Sequence, residues 1–260
     1  MEKTRSDAKI SGSGAISGGV YDTIKISGSG TINSDIDCIV LKTSGSSRIE
    51  GNIVSKEIKV SGSSIMKGTV KAEEVRISGS AEIENDLEGD KIEISGGSKM
   101  GNDVTAKYLK VSGGSEIDGS LYGEEINISG SLKIKKDCEV ERFIASGTFS
   151  IEGLLNAGEI EIVLFGKSRA KEVGGENITV RISDWSNSII SKVIKSVFPM
   201  RTELLTEAIE GDNIYLEATV AKVVRGNNVT IGKDCYIEKV EYREQINIID
   251  GGIVKEKVKI

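Results

Sequence analysis

One feature constrains this chain more than any other: a Ser-Gly pair that returns with a fixed period. The pair begins at Ser11, Ser27, Ser44, Ser61, Ser78, Ser95, Ser112, Ser129 and Ser146, with a first interval of 16 residues and every later one of 17. With offsets counted from this serine, offset 5 holds Ile16, Ile32, Ile49, Met66, Ile83, Met100, Ile117, Ile134 and Ile151. Offset 9 holds Val20, Ile36, Ile53, Val70, Leu87, Val104, Leu121, Cys138 and Leu155. Offset 14 runs from Leu41 and Ile58 to Phe143 and Ile160, and offset 16 from Thr43 and Val60 to Ala145 and Ile162. Fixed periods of this kind mark stacked repeat architectures.

The last two columns are two residues apart, and charged residues such as Lys59, Arg76, Glu93 and Lys110 stand between them. Apolar-in, charged-out alternation is a strand pattern. A unit of ~17 residues has no room for two packed helices. The expected fold is therefore all-β: a parallel β-helix, or solenoid, with ~17-residue coils of three short strands, each coil lying ~4.8 Å from the next. Gaps of 4, 5, 2 and 6 residues between apolar columns lack the hexapeptide period of left-handed β-helices, so a right-handed coil is expected. The glycine of each pair is expected to turn a corner through positive φ.

After Ile162 the marker is lost, and Val163 to Ile182 reads as a tenth, degenerate coil. Ile189, Ile190, Val193, Ile194, Val197 and Phe198 then follow the spacing of one helix stripe, closed by Pro199. With Trp185 they form a candidate partner or capping helix. Strand alternation returns at Ile214 and Leu216, Val229 and Ile231, and Ile246 and Ile248. The expected organisation is a main β-helix over 10–183, an amphipathic helix over 184–200 and a shorter β-helical segment over 201–260. That segment either continues the main stack or forms a second one.

Composition narrows the chemistry. Histidine is absent, which removes His bases and His metal ligands. A net charge of −6 gives no attractive field for nucleic acid. There is no P-loop, and the glycine spacing is that of the coil. Acidic pairs such as Glu73–Glu74 and Glu124–Glu125 fall outside the apolar columns, among Lys and Arg, which argues against general acid/base work. Basic residues at offset 15 (Lys42, Lys59, Arg76 and Lys110) are read as partners of Glu57 and Glu74 rather than as an anion-binding stripe. Three widely spaced cysteines without a CxxC, and an N-terminal MEKTRSDAK without an apolar stretch, fit a reducing, cytoplasmic setting in which no membrane contact is expected.

The Ser-Gly coils, together with IEGDNIYLEATVAKVVRGNNVTIG (Ile209 to Gly232), resemble the bactofilins, a family of polymer-forming bacterial cytoskeletal proteins, in a longer two-part form. The resemblance implies a right-handed β-helix that assembles end to end without nucleotide. The expected role is a non-enzymatic scaffold with no cofactor, whose partners are other copies of itself and, beyond these, cell-envelope or other cytoskeletal proteins. Ile10, Ile16, Val20, Ile24 and Ile26 form the candidate self-assembly end, because strand edges there lack neighbours. The alternative readings are a monomeric or dimeric solenoid that offers an apolar flank to a partner and, more remotely, a polysaccharide-processing β-helix.

Overall fold

The computed structural model describes residues 5–183 and 201–260. Over these residues the chain is a parallel β-solenoid of ~17-residue coils, with strands and turns and no helix. The helix expected over 184–200, with Trp185, Ile189, Ile190, Val193, Ile194, Val197 and Phe198, lies outside the described residues. The chain divides into two compact units, Met1–Glu124 and Glu125–Ile260.

In the first unit each full coil is built from a four-residue strand and an eight-residue strand. Ser46–Ile49 and Ile53–Val60 make one coil; Ser63–Met66 and Val70–Ile77 make the next. Every strand pairs in parallel with its equivalent one coil away, so Ile49, Met66 and Ile83 are direct neighbours, as are Ile58, Val75 and Ile92. All six are buried, and each such aliphatic side chain contributes about 1.5–3 kcal/mol through removal from water.

Three strands per coil were expected and two are present. The reason lies inside the eight-residue strand. In Ile53–Val60, Ile53, Ser55, Ile58 and Val60 point inward, whereas Lys56 and Glu57 both face out in succession. That slip of phase bends one hydrogen-bonded strand across two faces of the coil. Two further inward positions carry small residues: offset 3, which alternates with offset 5 on the four-residue strand, and offset 11, which alternates with offset 9 ahead of the slip. Ser47, Ser64 and Ala81 fill the first, and Cys38, Ser55 and Ala72 the second. Their hydroxyls are paired as buried polar groups must be: Ser47 and Ser64 bond at 2.8 Å, and Ser55 Oγ donates to the Glu57 carbonyl at 3.0 Å.

The glycine of the Ser-Gly pair does not act through positive φ; among the described glycines only Gly19 and Gly251 have it. The constraint is proximity between coils. A Cβ placed on Gly45, Gly62 or Gly113 would lie 2.0 Å from the carbonyl oxygen of the equivalent glycine one coil earlier. The column is glycine because the backbones touch there.

The first coil, one residue short, departs from the repeat. Gly19, not Val20, stands opposite Ile36, and Val20 stands opposite Asp37 on the outside. Val20 therefore does not belong to the offset-9 core column. The missing residue falls between Ile16, which lies 16 residues before its partner Ile32, and Gly19, which lies 17 before Ile36; from Gly19 through Ile26, opposite Thr43, the register is constant.

In the second unit the strands lengthen to Thr148–Leu164, Lys167–Ile182, Glu203–Leu216, Thr219–Ile231 and Tyr236–Ile248, each wrapping several faces. Lys167–Ile182 pairs directly with Glu203–Leu216. The C-terminal coils thus continue the stack of the degenerate coil and do not start a second one. Ile178, Ile214, Val229 and Ile246 form one column; Val180, Leu216, Ile231 and Ile248 form another. Phe143 and Phe149 meet edge to face with centroids 5.3 Å apart. All three cysteines are free and buried. Burial raises each thiol above its ordinary range, Cys235 to about 11.

Candidate functional site

The residues expected to form a self-assembly end divide into two groups. Ile24 and Ile26 are fully enclosed, and Ile10 is 7% exposed, so these three are core. Ile10 lies over Ile26 on the strand Ser6–Ile10, which pairs with Gly19–Ile26. Arg5 fastens this strand across two further coils, donating to the Tyr21 carbonyl at 2.9 Å and pairing with Asp37 at 3.0 Å. Ile16 and Val20 are half-buried. Ile16 sits over buried Ile32 and so extends a core column. Val20 faces the flank. Ile16 is therefore the apolar side chain that this coil offers along the stack.

Sequence reasoning missed an uncovered apolar face in the second unit. Ile246 and Ile248 lie over the buried Val229 and Ile231 and have no strand on their other side among the described residues. Ile248 is 39% and Ile249 40% exposed. The final strand, Ile253–Lys259, pairs on one side with Tyr236–Ile248. Its Lys257 falls opposite Val240, in an inward column. A charge at the mouth of a core column discourages further stacking on that face. The open apolar face is thus the one carrying Ile246 and Ile248. The signal was present in the alternation REQINII, which places two isoleucines on the core side of the strand Tyr236–Ile248.

The flanks of the coils are laced by ion pairs. Lys59 pairs with Glu57, and Arg76 bridges Glu74 at 2.6 Å and Glu93 at 3.4 Å. Lys91 reaches Glu93 at 3.0 Å. Hydrogen bonding from Lys59 holds the Glu57 carboxyl below its usual range, and Lys91 does the same for Glu93. The offset-15 basic residues Lys59 and Arg76 are therefore neutralised by the carboxylates two positions earlier, as their spacing suggests. Such exposed pairs contribute little stability, but they remove the field that a stripe of like charge would create. Glu74 of the first acidic pair is engaged in this network. In the second unit, a groove of about 800 Å³ runs over Gly175, Gly211 and Gly226 and is also lined by the register neighbours Glu210 and Arg225. Arg225 is tied to Glu241 at 2.5 Å.

Two proteins of Bacillus subtilis (strain 168) are similar in sequence. The chain is 37% identical over 108 residues to uncharacterized protein YhbF, which covers 40% of this chain and 41% of YhbF. It is 41% identical over 88 residues to uncharacterized protein YhbE, covering 34% of this chain and 35% of YhbE. The matches thus span well under half the length of these relatives. No family model and no solved structure matches the chain.

Proposed function

We propose that this chain is a non-enzymatic scaffold of bactofilin-like type that assembles end to end through its outermost coils, without nucleotide. The observation that carries this reading is the uncovered pair of half-buried Ile246 and exposed Ile248, which prolongs two core columns rather than decorating a flank. In a head-to-tail contact, the strand Ser6–Ile10 of one copy would lay Ala8 and Ile10, which occupy the same repeat positions, over Ile246 and Ile248 of the next. Pairing two strand edges gains about 0.5–1.5 kcal/mol net per backbone hydrogen bond, and enclosing isoleucines adds more. Neither contribution calls on a bound ligand. The test is negative-stain microscopy and sedimentation of the purified full chain and of Ile248→Lys and Ile16→Lys. Concentration-dependent end-on assembly that either variant weakens is the expected result. A chain that stays monomeric at every concentration and salt, or assembles equally well with Ile248→Lys, overturns the reading.

A further inference from the structure

The second unit carries an apolar column on its outside. Leu205, Val220, Tyr236 and Ile253 are successive neighbours in register, one per coil, and Arg169 ends the column on the side of Leu205. Leu205 and Val220 are half-buried, while Tyr236 and Ile253 are exposed, Ile253 to 54%. Four coils at ~4.8 Å make a stripe of roughly 14 Å. Scattered exposed apolar residues need no explanation, but a contiguous row does.

Beside this row, two residues further along each strand, stand Glu207, Lys222, Glu238 and Lys255. Their signs alternate down the stack. Within one copy they pair loosely, Lys222 with Glu207 at 3.2 Å and Lys255 with Glu238 at 3.9 Å, with every side chain more than half exposed. The Lys255 ammonium also lies 4.9 Å from the centre of the Tyr236 ring, over the apolar row.

We infer that this flank binds the same flank of a second copy, with the two coil stacks running in opposite directions. The argument is charge complementarity under a two-fold axis. Such an interface is isologous, so each row faces itself reversed. Reversal sets Leu205 against Ile253 and Val220 against Tyr236. It also sets Glu207 against Lys255 and Lys222 against Glu238, so that all four charged positions meet the opposite sign. The same flanks mated with stacks parallel and in step would put Glu207 on Glu207 and Lys222 on Lys222, which is repulsive. Arg169 and Lys171 then project past the partner's last coil rather than against a like charge. The patch is small, at the weak end of specific interfaces, so the pairing is a concentration-dependent dimer. It is independent of end-to-end stacking, which uses different residues.

The test uses the full chain with single engineered cysteines, since the natural ones are buried. Leu205→Cys and Ile253→Cys proteins are mixed and treated with a short bismaleimide. Expected is a mixed cross-linked dimer at least tenfold over the Leu205→Cys homodimer, undiminished when both carry Ile248→Lys. By sedimentation, Glu207→Lys weakens dimerisation roughly tenfold, and adding Lys255→Glu restores it. A dominant Leu205→Cys homodimer, or failure of the charge exchange to restore pairing, overturns the opposed arrangement. A monomer without cross-links overturns self-pairing and leaves the flank to a different protein. Loss of end-on filaments by Ile248→Lys with these cross-links intact separates the two proposals.

Discussion

Gly96 and Gly97 are adjacent, identical in type, and opposite in what they tolerate. A Cβ on Gly96 would stand 1.9 Å from the carbonyl oxygen of Gly79, whereas one on Gly97 would meet nothing within 4 Å. Neither glycine has a positive φ, so alanine is conformationally acceptable at both and only space distinguishes them. To accept Gly96→Ala, the two coils must separate locally by about 1.5 Å, the distance from this clash to ordinary carbon–oxygen contact. That movement spoils the bonds Ser95 N–H to Ile77 O (2.8 Å), Gly96 N–H to the same oxygen (3.2 Å) and Gly97 N–H to Gly79 O (3.0 Å). At about 0.5–1.5 kcal/mol net each, the loss comes to about 2–4 kcal/mol. Gly97→Ala instead lowers the entropy of the unfolded chain and gains about 0.4–1 kcal/mol. Urea unfolding of both variants, followed by circular dichroism, measures the contrast. Equal midpoints for the two would refute the account of the Ser-Gly column as a close backbone contact.

Thr43 occupies the offset-16 column between Ile26 and Val60, and its buried hydroxyl has no hydrogen-bond partner among the described residues. Thr43→Val should therefore stabilise the fold by about 1 kcal/mol, the desolvation that an unpaired hydroxyl forfeits, seen as a higher urea midpoint. Cys138 is completely enclosed and its thiol is pushed far above its ordinary range by burial. Its reaction with a thiol reagent at neutral pH should be slow in the native chain and rise steeply at the unfolding transition; rapid native labelling would contradict the burial.

The stacked coils were readable from sequence because bulky aliphatic residues recur at four offsets of the unit. The two remaining inward columns were not, since Ser47, Ser55, Ala72 and Ala81 are small and look like loop residues, although each alternates with a buried aliphatic residue two positions away on its own strand. The glycine requirement was legible but its cause was not, because close approach and positive φ leave the same letter in the sequence. Val20 was misplaced for a different reason. Counting from a marker serine assumes equal coils, and the one-residue deficit before Ser27 lies between the marker and the position counted. The row Leu205, Val220, Tyr236 and Ile253 was hidden because its intervals of 15 to 17 residues carry no shared residue type; only hydrogen-bond register aligns them.

That short first coil shows how the architecture handles a change in length. The missing residue is absorbed between Ile16 and Gly19, and the coils are in step from Gly19 onward. An insertion or deletion is thus confined to the turn that contains it, while loss or gain of a complete seventeen-residue turn would leave each neighbour facing an equivalent partner. The length of such a molecule is free to drift in whole turns across generations while its cross-section stays fixed.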